Sequence, residues 1–551
     1  MNTHTARPRT PKTTTVKTTG GLVPSPYQQA IFDFIESGRG NGVVEAVAGS
    51  GKTTTILQSL SYIPKNKAVT FLAFNKDIAT VLADRTREMG CDHVDVMTLN
   101  AMGLRAWTRL KGTRSTVDAN KLGTICRDYK MELEHYYAAT LAPENEANWR
   151  FVDEFSYQIT NLARKAKIAG LVPEGIPGAV GMLADTQENW ENLIEHYGME
   201  FADDTTQDIR AINAARIVLH RSVQDHKNID FDDMFFMPLI YGAPFGKPDF
   251  LFVDEAQDVS DIQREILARS MGTHTRLIAV GDPFQSIYGF RGANPDSLAL
   301  IADKFHAKRL PLSISYRCAK AVVAKAQTVV PHIQANTTAP EGSFTELGEK
   351  FLLEDFKSDD MIICRNTAPI IGLAYELISK RIPCVVKGRD IGQGLIKLIE
   401  KLNAATPAGL LTKLATWETK EIARLTKNDP DANVSSVLDK AASIRVIVES
   451  SKAPRVTDLL QEIRDMFKMG ATVSFKDQDK TPTGLLTLST IHKAKGLEAP
   501  RVFILNYHLM PSKMARSPWE MAQETNLQYV AITRAKRDLV TIVREPKKDK
   551  G

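Results

Sequence analysis

The sequence predicts an α/β protein of two doubly wound, parallel-sheet domains, each interrupted by a mainly helical insertion. Three observations carry this expectation. Short apolar runs ending at polar or glycine residues occur at 68–74, 94–98, 250–253 and 277–281, and again at 361–364, 384–386, 485–490, 502–505 and 539–543. Each has the length and composition of a strand buried on both faces. Helical patterns lie between these runs, the alternation of a wound sheet that binds its ligand at the carboxyl ends of its strands. From about 105 to 220, and from about 391 to 480, the strand-like runs vanish and apolar residues recur at helical spacing within mixed-charge stretches. Those two segments are read as the insertions, with an exposed Lys/Asp-rich loop near 476–480 in the second.

The gross numbers are compatible with this plan. A chain of 551 residues exceeds what one hydrophobic core organises. A make-up of 43% hydrophobic and 25% charged residues is that of a globular protein, and no apolar run reaches the length a bilayer requires, so no membrane partner is expected. The net charge of +5 permits a nucleic-acid partner without demanding one. Five scattered cysteines, none in a C-x-x-C arrangement, indicate neither a disulfide framework nor a zinc site. The first twenty residues carry Arg7, Arg9, Lys12 and Lys17 without an acid or an apolar core. They read as a disordered basic tail, with an organelle transit segment as the alternative, and an intracellular setting is expected.

The segment 43–54, VVEAVAGSGKTT, is a buried strand running into a small-residue loop and then a helix. Small residues let the main chain approach a triphosphate closely, so Ala46, Val47, Ala48, Gly49, Ser50, Gly51, Lys52, Thr53 and Thr54 form a candidate phosphate cradle. Lys52 is suited to the β- and γ-oxygens and Thr53 to Mg²⁺; Ala46 stands where the strict pattern has glycine. The run 250–258, FLFVDEAQD, delivers two acids to the carboxyl end of a strand, where Asp254 can hold the metal through water and Glu255 can orient or deprotonate the attacking water.

With the cradle and these acids, further motifs give the chain its resemblance to the UvrD/Rep-like superfamily 1 helicases, outside the two insertions. The resemblance implies two RecA-like P-loop motor domains, with ATP and Mg²⁺ as cofactors. It places the first motor domain at 21–104 and 221–305 around an insertion at 105–220. The second lies at 306–390 and 481–545 around a short insertion at 391–480, with tails at 1–20 and 546–551. Gln28, in PSPYQQAIF, resembles the family's adenine-reading glutamine. LAFNKDIA at 72–79 and TLNAMG at 98–103 resemble two strand-contacting motifs, which implies DNA contacts for Asn75, Lys76, Thr98 and Asn100. IDFDDM at 229–234 matches the re-entry into the first domain, with structural acids.

GDPFQSIYGFRGA at 281–293 is the most family-specific stretch: Gln285 is implied at the γ-phosphate, and Tyr288, Phe290 and Arg291 at a nucleic-acid strand, where aromatic stacking tolerates any base. LSISYRC at 312–318 implies Tyr316 against adenine and Arg317 at the γ-phosphate from the second domain. Arg365 and Asn366 resemble another strand-contacting segment. LTLSTIHKAKGLE at 486–498 implies phosphate contacts from Thr490, His492 and Lys493 and a ribose contact from Glu498. YVAITRAK at 529–536 implies Arg534 as an arginine finger.

The implied activity is ATP-dependent DNA unwinding with 3′ to 5′ movement on single-stranded DNA, the partners being single strands and tailed or forked duplexes. Two alternatives stand beside it: a translocase that strips proteins from DNA without unwinding well, and a DNA-binding switch that binds ATP but hardly hydrolyses it.

Overall fold

The computed structural model describes residues 23–544 apart from 38, 198, 200, 202–204, 288–295, 427–433, 469–484 and 516. The loop expected near 476–480 therefore lies outside the described residues.

Six strands form the first sheet: β1 (Gly42–Ala46), β2 (Val69–Ala73), β3 (Val94–Thr98), β4 (Phe250–Val253), β5 (Arg276–Gly281) and β6 (Lys308–Leu312). Their order is β3-β2-β4-β5-β1-β6 and every pairing is parallel. Side chains alternate between two buried faces, as the pleat requires. Val43, Leu72, Leu251, Val253, Leu277 and Ala279 point into the core shared with the helical insertion, while Val44, Phe71, Phe250, Phe252, Ile278 and Val280 point to the other face. There Ile31, Ile56, Leu57 and Leu82 cover them from the helices Pro26–Ser37, Lys52–Ser59 and Lys76–Glu88.

The second sheet comprises β7 (Ser343–Gly348), β8 (Met361–Cys364), β9 (Cys384–Val386), β10 (Leu486–Thr490), β11 (Ala499–Leu505) and β12 (Ala535–Ile542). Its order is β7-β12-β11-β8-β10-β9, again wholly parallel. One face packs on the helix Thr367–Ser379 and on the helical segment 389–468, the other on the helices Lys320–Ala326 and Pro518–Ile532. Val47 and Ala48 of the phosphate loop belong to that last core, so the two lobes share buried apolar surface across the cleft.

Among the strands of these two sheets, two escape the apolar-run criterion. Lys308–Leu312, KRLPL, hydrogen-bonds along β1 and places the end of the first sheet at Leu312, beyond the boundary at 305 read from the sequence. Its exposed Lys308 and Arg309 and its Pro311 disguise it, and a proline is tolerated because β6 is an edge strand with only one partner. Ser343–Gly348 is also an edge strand, only partly buried, and has no apolar run to betray it. β11 and β12 begin at Ala499 and Ala535, earlier than the runs at 502 and 539 suggest, because their first turns are half solvated.

The first insertion is a helical layer of Lys121–Thr140, Pro143–Ala169, Gln187–His196 and Thr205–Gln224, which Leu99–Lys111 leads into and Asp233–Ile240 leads out of. It is pinned to the IDFDDM turn by buried charges. Lys121 Nζ lies 2.8 Å from Asp233, and Lys167 Nζ lies 2.7 Å from Asp230 and 2.6 Å from Asp233. Buried ions persist only when paired and hydrogen-bonded, and Lys121 also donates to the carbonyls of Ser222 and Asp225 at 2.7 and 3.0 Å. No helix among the described residues is long and apolar enough to cross a membrane.

Candidate nucleotide site and strand-contacting edge

The cradle is formed where β1 ends and the helix Lys52–Ser59 begins. Gly49 and Gly51 adopt φ of 72° and 77°, the left-handed region that a Cβ disfavours. Ser50 Oγ is buried without a hydrogen-bond partner, as expected of a hydroxyl in a pocket shaped for an oxygen-rich ligand. Lys52 Nζ lies 3.3 Å from Glu255 Oε2, and Thr53 Oγ1 donates to Asp254 Oδ2 at 3.2 Å. Hydroxyl and carboxylate thus converge at the foot of the loop, a donor set that fits a hard divalent cation.

Burial, with the Glu255 charge beside it, raises the Asp254 carboxyl. At Glu255 burial is outweighed by Lys52 and Lys495, which hold its carboxyl well down. Glu255 has φ 50°, a left-handed conformation that costs a non-glycine residue about 1 to 3 kcal/mol and persists where the surroundings enforce it. Gln257 supplies part of that enforcement. Its amide donates to Glu255 Oε2, and its carbonyl oxygen accepts the Asp282 N–H at 3.0 Å. Asp282 in turn accepts from Gln285 Nε2 at 2.6 Å, so Gln285 is oriented by the segment that precedes it. Burial pushes Asp258 and Asp282 up to about 6 against the opposing lysine charges.

The second lobe meets this group across the cleft. Lys495 Nζ donates to Asp258 Oδ2 at 2.7 Å and to the Gln285 carbonyl at 2.8 Å. The Tyr316 N–H donates to the Gly49 carbonyl at 2.8 Å, and its half-exposed ring stands beside the cradle. Arg317 pairs with Glu498 at 2.5 Å, and Glu498 also pairs with Lys536 at 2.7 Å. Arg534 is almost fully buried and donates to the carbonyls of Val530 and Leu497 at 3.0 and 3.1 Å. Burial first, then the Arg317 charge, lowers its pKa to about 10. Gln28 is held on the first helix, its Oε1 accepting from Ser25 N at 2.9 Å and its amide donating to Thr55 at 3.1 Å.

The residues implied to touch a strand lie at the carboxyl edges of both sheets. Asn75 and Thr98 cap the helices that follow β2 and β3, and Asn100 donates to the Phe231 carbonyl at 3.2 Å. Lys76 opens the helix after Asn75, and in the second lobe Asn366 precedes the helix after β8. Arg365 pairs with Glu524 at 2.7 Å; Thr490 ends β10, and His492 and Lys493 lie on the short helix that follows it. Tyr288, Phe290 and Arg291 lie outside the described residues. Phe231, which the sequence reading passed over, stands exposed on this edge, as does Phe74. Gln257, Asp282, Lys495 and Tyr529 were likewise passed over, although each lies inside or beside a motif already quoted, which was the available signal.

Residues 27–306, just over half of the chain, match the model of the UvrD/REP helicase N-terminal domain. The chain belongs to the UvrD/REP helicase family. Residues 407–545 match the UvrD-like helicase C-terminal domain, and the two α/β lobes are the RecA-like pair of that family. Among relatives, the ATP-dependent DNA helicase Rep of Escherichia coli is 22% identical, covering 94% of this chain and 90% of its own. The ATP-dependent DNA helicase PcrA of Leuconostoc citreum is 22% identical over 57% of each chain. The F-box DNA helicase protein 1 of Schizosaccharomyces pombe is 25% identical over 54% of this chain and 34% of its own.

Proposed function

We propose that this protein is an ATP-driven DNA helicase that moves 3′ to 5′ along single-stranded DNA and separates tailed or forked duplexes. The observation that carries the reading is the meeting of both lobes at one loop. The cradle has Asp254, Glu255 and Gln285 on its own side and Tyr316 and Arg317 packed against Gly49 from the other. Membership of the family and the printed names of Rep and PcrA support DNA as the track.

In this reading Lys52 leaves Glu255 for the β- and γ-oxygens of ATP, and Glu255 then orients the attacking water. Thr53 and Asp254 would hold Mg²⁺, which would neutralise phosphate charge. Gln285, Arg317 and Arg534 compensate charge at the transferred phosphate. Tyr316 and Gln28 hold the adenine, and Glu498 the ribose. Because these groups are divided between lobes, closure and reopening of the cleft accompany each turnover. The strand-contacting residues on both lobes convert that cycle into movement.

The test is strand separation on duplexes carrying a 3′ or a 5′ single-stranded tail, with and without ATP. Unwinding from the 3′ tail alone, abolished without ATP, is expected. Strong DNA-stimulated hydrolysis with no unwinding from either tail would sink the helicase reading in favour of a protein-displacing translocase.

A further inference from the structure

A buried phenol from the second lobe touches the phosphate loop and has no part in the mechanism above. Tyr529 lies fully buried on the helix Pro518–Ile532, and its hydroxyl oxygen accepts the backbone N–H of Ala48 at 2.9 Å. A buried hydroxyl is costly unless partnered. Burial, with Asp282 nearby, drives its pKa well above the ordinary tyrosine value, so it remains a neutral hydroxyl. The ring stands edge-on to Phe284, centroids 6.1 Å apart and planes at 71°. Nearly one turn earlier on the same helix, Asn526 donates to the Ser286 carbonyl at 2.9 Å. The helix is therefore docked on the first lobe at two places, the phosphate loop and the turn that carries Gln285.

The same helix runs directly into Thr533 and Arg534. The hydrogen bonds recorded for Arg534 go to Val530, Thr533 and Leu497, all in the second lobe. They orient the guanidinium on its own lobe, and none of them sets its distance from the phosphate loop. The Tyr529–Ala48 bond spans that gap.

We propose that Tyr529 is a positioning residue: its bond to the Ala48 N–H sets how deeply the helix leading to Arg534 docks on the phosphate loop, and so places Arg534 against the transferred phosphate. This rests on the proposed role of Arg534. A misplacement of about 1 Å at a reacting centre costs on the order of 100-fold in rate.

The test is a double-mutant cycle on the full-length protein, measured as ATP turnover with saturating single-stranded DNA. Tyr529→Phe keeps the ring and removes the hydroxyl. It is expected to lower kcat about 10- to 100-fold while KM for ATP moves less than about threefold, the split of a group that acts in the transition state. Arg534→Ala alone is expected to cost about 10³-fold or more, and the double variant to be no slower than Arg534→Ala. Wild-type kcat in Tyr529→Phe, or losses that multiply in the double variant, overturn the inference. Normal turnover in Arg534→Ala instead overturns the proposed role of Arg534 itself. Should Tyr529→Phe fail to fold, 3-fluorotyrosine at position 529 retains the hydroxyl and weakens it as an acceptor. A kcat several-fold lower then supports the inference, and an unchanged kcat overturns it.

Discussion

Gly49 satisfies two constraints that no other residue type meets together. Its φ of 72° is left-handed, and a Cβ placed there would lie 2.4 Å from the Arg317 Cβ and 2.8 Å from the Ser315 Oγ. Substitution therefore strains the loop and wedges the lobes apart. Gly49→Ala is expected to lower ATP turnover more than about tenfold and stability by about 1 to 3 kcal/mol, read by steady-state hydrolysis and denaturant unfolding. At Glu255 the expectation concerns chemistry alone. Glu255→Gln removes the proposed base yet keeps the hydrogen-bonding shape, so DNA-stimulated turnover should fall about 10²- to 10⁴-fold while a fluorescent ATP analogue still binds. Equal losses of binding and turnover would assign Glu255 a structural role. The types of Lys52, Thr53, Asp254 and Glu255 were legible from chemistry and spacing, but their partners were not. That Gln257 braces Glu255, or that Lys495 reaches Asp258, depends on segments brought together by the sheet and by closure of the cleft.

At the level of elements, the first insertion is joined to its motor lobe by the network of Lys121, Lys167, Asp230 and Asp233. Removing one partner strands a buried charge, so Lys167→Met is expected to destabilise the protein by about 3 to 5 kcal/mol in denaturant unfolding. Burial alone would raise the Asp233 carboxyl; the charges of Lys167 and Lys121 outweigh it and hold it below the ordinary aspartate range. For a depressed carboxylate the unfolded chain takes up protons first as pH falls, so the stabilisation is fully present above the ordinary aspartate value and is lost as pH drops through the lower folded value. The stability deficit of Asp233→Asn relative to wild type should therefore be largest at pH 7 and shrink below about pH 4. A deficit independent of pH would mean that packing, not charge, is responsible. The elements themselves were legible in proportion to their burial. β4, β8 and β9 are apolar throughout and match the sequence runs, whereas β6 and β7 lie at edges, carry exposed residues and were not recognised.

Across the whole molecule, affinity for a strand is expected to come mainly from phosphate contacts spread over both lobes. Six such contacts would lower single-strand affinity on the order of 10²- to 10³-fold between 50 and 200 mM salt, measurable by fluorescence anisotropy without nucleotide. An affinity insensitive to salt would shift the weight to base stacking, to which the exposed Phe74 and Phe231 could contribute.

By itself the sequence determined which segments become buried strands, where the phosphate loop lies and which acids follow the fourth strand, because period, run length and glycine placement are local properties of the chain. The tertiary structure alone decided that Lys308–Leu312 closes the first sheet and that Tyr529 meets Ala48 across 481 residues. It alone also decided that two buried lysines anchor the helical layer to Asp230 and Asp233. These contacts satisfy polar groups that burial would otherwise leave unpaired, and that requirement arises only once distant segments have come together.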